Sequence, residues 1–255
     1  MKIIVFVKQV PDTWQDRVLD PSTGWLDRGA SERVIDEICE RALEVALAYK
    51  DGDKATEIVA LSMGPTEATA ALRKALSMGA DAAVHVVDDA LVGADATRTA
   101  AVLAAAATAT GYDLIIAGNE STDGRGGVVP AMVAEHLGLP SLTFLTSVEL
   151  NPTGVTAERG SETAATTISA SLPAMISITE RMPEARFPSF KGIMTAKKKP
   201  VTTYSLADLG IDGPGARSTV RSTEKRPARS GATPIVDEGN AGVELADYLA
   251  QARLI

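Results

Sequence analysis

From its first residues the chain alternates short apolar runs, rich in β-branched residues, with longer stretches whose apolar positions recur every three to four residues. That rhythm predicts βαβ units around a parallel sheet. Four runs, Ile3 to Val7, Glu57 to Leu61, Ala83 to Val87 and Leu114 to Ala117, are almost unbroken in apolar character, as suits strands covered on both faces. Ser31 to Tyr49, Thr66 to Met78, Asp95 to Thr108 and Val128 to Leu137 carry helical spacing between and after them. Ser31 and Gly52 stand where caps of the first helix belong, and Pro65 and Gly79 bracket the second. Ahead of the first helix, Val18 and Leu19 face Trp25 and Leu26 across a turn-forming Asp20-Pro21-Ser22-Thr23-Gly24, which predicts a small hairpin.

After Pro140 the period shortens. Ser147 to Leu150, Val155 to Glu158 and Thr166 to Ser171 alternate like antiparallel strands, and Ala174 to Ile178 is a further apolar strand. The expected fold class is therefore α/β: a doubly wound, mostly parallel, Rossmann-like nucleotide-binding domain over residues 1–200, with a small antiparallel extension. From Thr202 through Pro234 the chain turns to Gly, Pro, Ser, Thr and Arg and cannot build a core of its own. Val243 to Ile255 regains helical spacing, so residues 201–255 are expected to form an extended C-terminal arm ending in a short helix.

Composition narrows the chemistry. Hydrophobic residues make up 45% of the 255 but aromatics only 4%, so the interior is built from Ala, Val, Leu and Ile. A net charge of -8, relieved only by the short Lys197 to Lys199 cluster, disfavours nucleic acid and anionic lipid. No run approaches the ~20 apolar residues of a membrane span, and MKIIVFVKQV is too short in its apolar part for a signal sequence. A soluble cytoplasmic protein without direct membrane insertion is expected. Cys39 alone allows neither an internal disulfide nor a multi-cysteine cluster, and two histidines leave no zinc set, so no metal is expected. His85 reads as a satisfied core residue and His136 as a cation at a helix end. No nucleophile and base stand in a defensible pair, so no catalytic residues are assigned and no bond-making active site is expected.

Candidate chemistry concentrates in Gly118-Asn119-Glu120-Ser121-Thr122-Asp123-Gly124-Arg125-Gly126-Gly127, which leaves one strand and enters a helix. Open parallel sheets bind ligands beyond their carboxyl edge, where helix N-termini offer free N–H groups to phosphate. Ser121 and Thr122 could add hydroxyls and Arg125 a charge; the same composition also serves as an ordinary connection. Ser62-Met63-Gly64-Pro65 reaches the same edge, either as a site wall or as a plain turn. Neither G-x-x-x-x-G-K-[ST] nor a G-x-G-x-x-G after the first strand is present, which disfavours a dinucleotide-dependent dehydrogenase. Thr179 to Lys199, with two prolines, two phenylalanines and an exposed-looking Met182, reads as a docking loop or as a loop whose apolar residues tuck inward.

Four segments together resemble the electron transfer flavoprotein β-subunit family. They are Val7-Lys8-Gln9-Val10-Pro11-Asp12, Ala75-Leu76-Ser77-Met78-Gly79-Ala80-Asp81, the Gly118 to Gly127 loop and Arg181 to Lys199, the last with Glu184-Ala185-Arg186-Phe187 and Gly192-Ile193-Met194-Thr195-Ala196-Lys197-Lys198-Lys199. The resemblance implies an electron carrier, not an enzyme, paired with a larger α subunit that holds most of the FAD, and a structural AMP in this chain. Carried over by position, the phosphate loop is Gly118 to Val129, including Val128. Phe6, Asp36, Glu37, Ile38, Cys39 and Met63 line the nucleotide. The family often has Asn-Pro where Asp36-Glu37 stand, which weakens the contact assigned there. Ile178 to Phe187 matches a recognition loop for acyl-CoA dehydrogenase-type flavoenzymes, with Met182 as apolar anchor among Arg181, Pro183, Glu184, Arg186 and Phe187. A downstream quinone-linked oxidoreductase and an arm wrapping the α subunit complete the implied partners. The alternatives are a free-standing adenine-nucleotide-binding protein, a nucleotide hydrolase or ligase relative, whose S-G-G-x-D-S loop is missing after Val7, and a bifurcating form with a second FAD in place of AMP.

Overall fold

A computed structural model describes residues 1–212, 215–224, 226–227, 234 and 236–255; the polar stretch expected through Pro234 runs partly outside the described residues. In chain order the elements are β1 (Lys2–Phe6), β2 (Gln9–Pro11), β3 (Arg33–Ile35), α1 (Glu37–Gly52), β4 (Glu57–Met63), α2 (Thr69–Met78), β5 (Ala82–Val86), α3 (Ala96–Thr110) and β6 (Leu114–Gly118). There follow α4 (Val129–Leu137), β7 (Ser141–Leu145), β8 (Ser147–Asn151), β9 (Gly154–Gly160), β10 (Ala165–Ser171), β11 (Ala174–Ile178), α5 (Phe190–Ala196), β12 (Val201–Tyr204) and α6 (Ala241–Gln251).

Seven strands form one sheet in the order β12-β5-β4-β1-β6-β11-β7, every pair parallel. The α/β doubly wound class is thus observed. The two-residue period of β1 sends Ile3, Val5 and Val7 into a core shared with α1 and α2, and Ile4 and Phe6 into one shared with α3 and α4. Each fully enclosed Leu or Ile in these layers contributes roughly 1.5–3 kcal/mol. From β1 the chain proceeds outward through β4 and β5, then returns to lay β6 on the other side of β1. The order therefore reverses between β1 and β6, and their carboxyl ends open the crevice that such sheets use for ligands.

The antiparallel sheet β10-β9-β8 forms as expected, and the early hairpin survives as a Leu19–Leu26 bridge. The first helix departs from expectation. Arg33–Ile35 pairs antiparallel with Gln9–Pro11, so the helix starts at Glu37, capped by the buried Asp36 and not by Ser31. The polar arm was expected from residue 201, yet Val201–Tyr204 closes the sheet edge against β5. Asp88 Oδ2 then accepts from Leu206 N at 3.0 Å, and Asp95 Oδ2 accepts from Arg217 N at 2.8 Å and Ser218 N at 3.0 Å. Met1–Arg221 accordingly makes one compact unit, and Ser222–Ile255 a second that contains α6.

Two of the resembling segments meet each other. A Cβ added to Gly192 of α5 would collide with the Ser77 carbonyl oxygen of α2, so only glycine permits this approach. Lys199 Nζ donates to Leu76 O at 2.9 Å and Ala80 O at 2.5 Å, and Arg73 Nη1 donates to Ala196 O at 2.9 Å. The lysine thereby serves the unpaired carbonyls at the end of α2, where a cation also suits the helix dipole.

Candidate functional site

The loop that leaves β6 lies at the reversal point and is held from three sides. Asp36 supplies the first tie: Oδ1 accepts from Ile38 N at 3.0 Å to cap α1, while Oδ2 accepts from Thr122 N at 2.7 Å and Thr122 Oγ1 at 2.8 Å. Lys8, two residues past β1, donates to Ser121 Oγ at 3.0 Å and to Asp123 Oδ1 at 2.8 Å. Arg28, from the excursion before β3, reaches Asp123 Oδ2 at 3.0 Å. The Asp123 carboxylate is only 2% exposed. Burial by itself would raise its pKa; the charge and hydrogen bond of Lys8, helped by Ser121 and Arg28, outweigh burial and hold the group to about 2.

Electrostatically, this arrangement spends the loop's acids internally. Asp36 and Asp123 are saturated by donors, and Glu120 lies 3.7 Å from Arg125. What remains open is the start of α4. Among the described residues the amides of Gly126, Gly127 and Val128 have no hydrogen-bond acceptor, and Pro130 occupies the first turn, where no N–H is needed. Gly127 holds φ +65, a conformation that favours glycine. Asn119 is buried and its Oδ1 has no partner. Free amides, neutralised acids and an orphaned acceptor are what an adenylate would need: a site for phosphate and a partner for a hydroxyl or amino group.

The other expected lining residues are divided by the sheet. Phe6 belongs to the core under α3 and α4 with Met63 packed against it, whereas Ile38 and Cys39 belong to the core under α1 and α2. Phe6 and Met63 end β1 and β4 at the carboxyl edge of the sheet, and Ile38 lies against Gly118 at the end of β6. Burial, then the charge of Asp36, pushes the Cys39 thiol up, so it stays an inert packing residue. Glu37 and Thr122 border a cleft of about 400 Å³ between β2–β3 and α2, with Gln9, Thr13, Glu40 and Lys74. His85 is buried as expected but half satisfied: Nδ1 lies 3.2 Å from Thr69 Oγ1, while Nε2 has no partner. Burial lowers its pKa. Lys8 and Arg28 were missed as site residues; a lysine directly after the first strand is a signal for Lys8, while no local pattern ties Arg28 to Asp123.

The docking segment needs one correction. Met182 was expected to stand exposed, but it is only 7% exposed and belongs to the core under α1 and α2, with its carbonyl accepting from Arg41 Nη1 at 2.5 Å. The loop instead presents Phe187, 91% exposed. Arg186 beside it is gripped by Glu44, through Nε to Oε2 at 2.8 Å and Nη2 to Oε1 at 2.7 Å, and by Asp51 at 2.8 Å. These contacts, that with Glu44 foremost, raise the guanidinium pKa further. The clamp fixes a loop that carries bare apolar surface. Among the described residues no helix is long and apolar enough to cross a membrane, and no cluster of three His, Cys, Asp or Glu could hold a metal ion.

A family profile described as the electron transfer flavoprotein domain matches residues 23–209. The electron transfer flavoprotein subunit beta of Mycobacterium tuberculosis is 46% identical over 263 aligned residues, covering 99% of each chain. That of Mycobacterium leprae is 47% identical over 264, again 99% of each. The caffeyl-CoA reductase-Etf complex subunit CarD of Acetobacterium woodii is 34% identical over 212, covering 83% of this chain and 80% of that one. With its parallel doubly wound sheet and these relatives, the chain belongs to the electron transfer flavoprotein β-subunit family and has that family's role in electron transfer.

Proposed function

We propose that this chain is the β half of a heterodimer whose α subunit holds most of the FAD, that it binds a structural AMP on the Gly118–Val129 loop, and that it has no bond-making site of its own. The heterodimer takes electrons from flavin dehydrogenases of the acyl-CoA dehydrogenase type and delivers them to a quinone-linked oxidoreductase. Support for the nucleotide comes above all from the start of α4, where free amides sit beside acids already neutralised by Lys8, Arg28 and internal donors. Helix N-termini of this kind favour phosphate. AMP would use the amides of Gly126, Gly127 and Val128 for its phosphate and Asn119 for a donor group; it takes no part in electron flow. The Ile178–Phe187 loop docks the donors, with Phe187 as its contact and Met182 as its support beneath. The Ser222–Ile255 unit, with Leu245 and Leu249 one turn apart on α6, is the arm that grips the α subunit.

Purified with its α subunit, the heterodimer should release one FAD and one AMP on denaturation, with a flavin absorption spectrum. Finding no adenylate would sink the loop assignment. The CarD relative, part of a reductase–Etf complex, motivates a second reading in which another FAD takes the AMP place. Two FAD per heterodimer would decide for it.

A further inference from the structure

β7 contains a defect that neither the fold nor the docking surface explains. Along its pairing with β11, Ser141 and Leu142 face Met175 and Ile176 in step, but Leu145 faces Ile178. Thr143 and Phe144 therefore share the single position opposite Ser177, which makes a bulge of one residue. At that point Phe144 takes φ +58, a left-handed conformation rare for a bulky side chain. Its N–H donates to the hydroxyl of the buried Ser177 at 3.1 Å, which holds the distortion in place. Burial of the ring does not offset the strain, because Phe144 remains 41% exposed. The ring instead reaches Gly127: a Cβ built there would lie 3.3 Å from Phe144 Cζ. A strained, half-exposed aromatic thus stands against the turn whose amides are free.

Strain that packing does not repay gathers at ligand sites, and bulges re-aim side chains beside them. We infer that Phe144 is a nucleotide-contact residue: its ring walls the Gly126–Val128 amides off from water and slows release of the adenylate phosphate held there. This rests on the loop binding AMP, supported independently by the unpartnered, buried Asn119 oxygen. An apolar wall strengthens amide–phosphate hydrogen bonds by lowering the local dielectric.

The test uses the full heterodimer and two truncations. Phe144→Ala removes the ring but keeps the unfavourable φ; Phe144→Gly removes both. Exchange of bound AMP against labelled AMP should be faster in each by roughly ten-fold, since losses of contact show mainly as dissociation rate. Melting temperature of the nucleotide-stripped heterodimer should be equal to the parent or higher for Phe144→Gly, and lower for Phe144→Ala than for Phe144→Gly. Parent exchange rates in both variants would overturn the role of Phe144 while leaving the loop assignment intact. Failure of Phe144→Gly to assemble would also overturn it, because the ring would then be a packing residue. A parent heterodimer without adenylate would remove the loop assignment itself, and this inference with it.

Discussion

Truncation of Met182 to alanine should lower stability more than it weakens docking. The side chain is 7% exposed and lies in the core under α1 and α2, with backbone ties to Thr179 O at 3.1 Å and to Arg41. Core Met→Ala changes cost about 2–5 kcal/mol, the spread reflecting how far the surroundings collapse into the space. Met182 lies outside the regular elements, just past β11 and four residues before the Arg186 clamp, where neighbours can close part of the space, which favours the lower half, about 2–3 kcal/mol. For a chain of this size each kcal/mol moves the melting temperature by about 2–4 °C, so Met182→Ala should melt roughly 4–12 °C below the parent. Phe187→Ala gives the contrast. Its side chain is 91% exposed, so melting should hold while donor affinity falls about ten-fold, the usual loss at an apolar anchor. Thermal unfolding of the heterodimer, paired with donor-dependent reduction rates measured against donor concentration, separates the two. An unchanged melting temperature with weakened donor coupling in Met182→Ala would refute the argument and return the anchor to Met182.

At Gly126 a Cβ meets nothing within 4 Å, so Gly126→Asp should fold without a steric clash yet lose AMP to like charge, as counted by released nucleotide, with assembly weakened by the missing AMP. Gly192→Ala forces a Cβ into the Ser77 carbonyl oxygen and should unfold at a clearly lower temperature; an unshifted melting curve would show that α5 can lift off α2 freely. Asp123 has a folded pKa of about 2, below its ordinary 3.8, so its ionised form adds stability above pH ~4 that fades as pH falls toward 2. The gap corresponds to about 2 kcal/mol, and the stability difference between the parent and Asp123→Asn, measured by denaturant titration, should shrink over that window.

The centre of the parallel sheet was legible because strands buried on both faces leave unbroken apolar runs, as in Leu114 to Ala117, and because each helix meets its strand within a few residues. The two edge strands, Ser141–Leu145 and Val201–Tyr204, have mixed apolar and polar residues and were not. Short pairings were not legible. Gln9–Pro11 and Arg33–Ile35 are three residues each and hydrogen-bond across an excursion, so no local period marks them, and Ser31 looked like a cap only because Asp36 was read as already helical. The glycine stretch was legible as a connection from a strand into a helix, but the ties that shape it join Lys8 and Arg28 to Asp123, about a hundred positions apart. Met182 misled because a methionine between Arg181 and Pro183 has exposed neighbours, and only the packed structure turns its side chain inward. Backbone strain at Phe144 has no sequence signature at all, since any residue type can be forced into it by a bulge.

β12 has a consequence for how the protein is made. It completes the sheet by pairing Val201–Tyr204 with Ala83–Val86, more than a hundred residues earlier in the chain. During synthesis at about 5–20 residues per second, β5 emerges several seconds before its outer neighbour exists. For that interval the nascent sheet ends in an apolar strand with unpaired N–H and C=O groups, the kind of edge that recruits other chains. In the folded chain α5 is fastened to α2 through Arg73 and Ala196, which sets β12, five residues on, beside that edge. A chain ending before Val201 would keep the edge open permanently, and should be recovered as aggregate even though nearly all of its parallel strands are present.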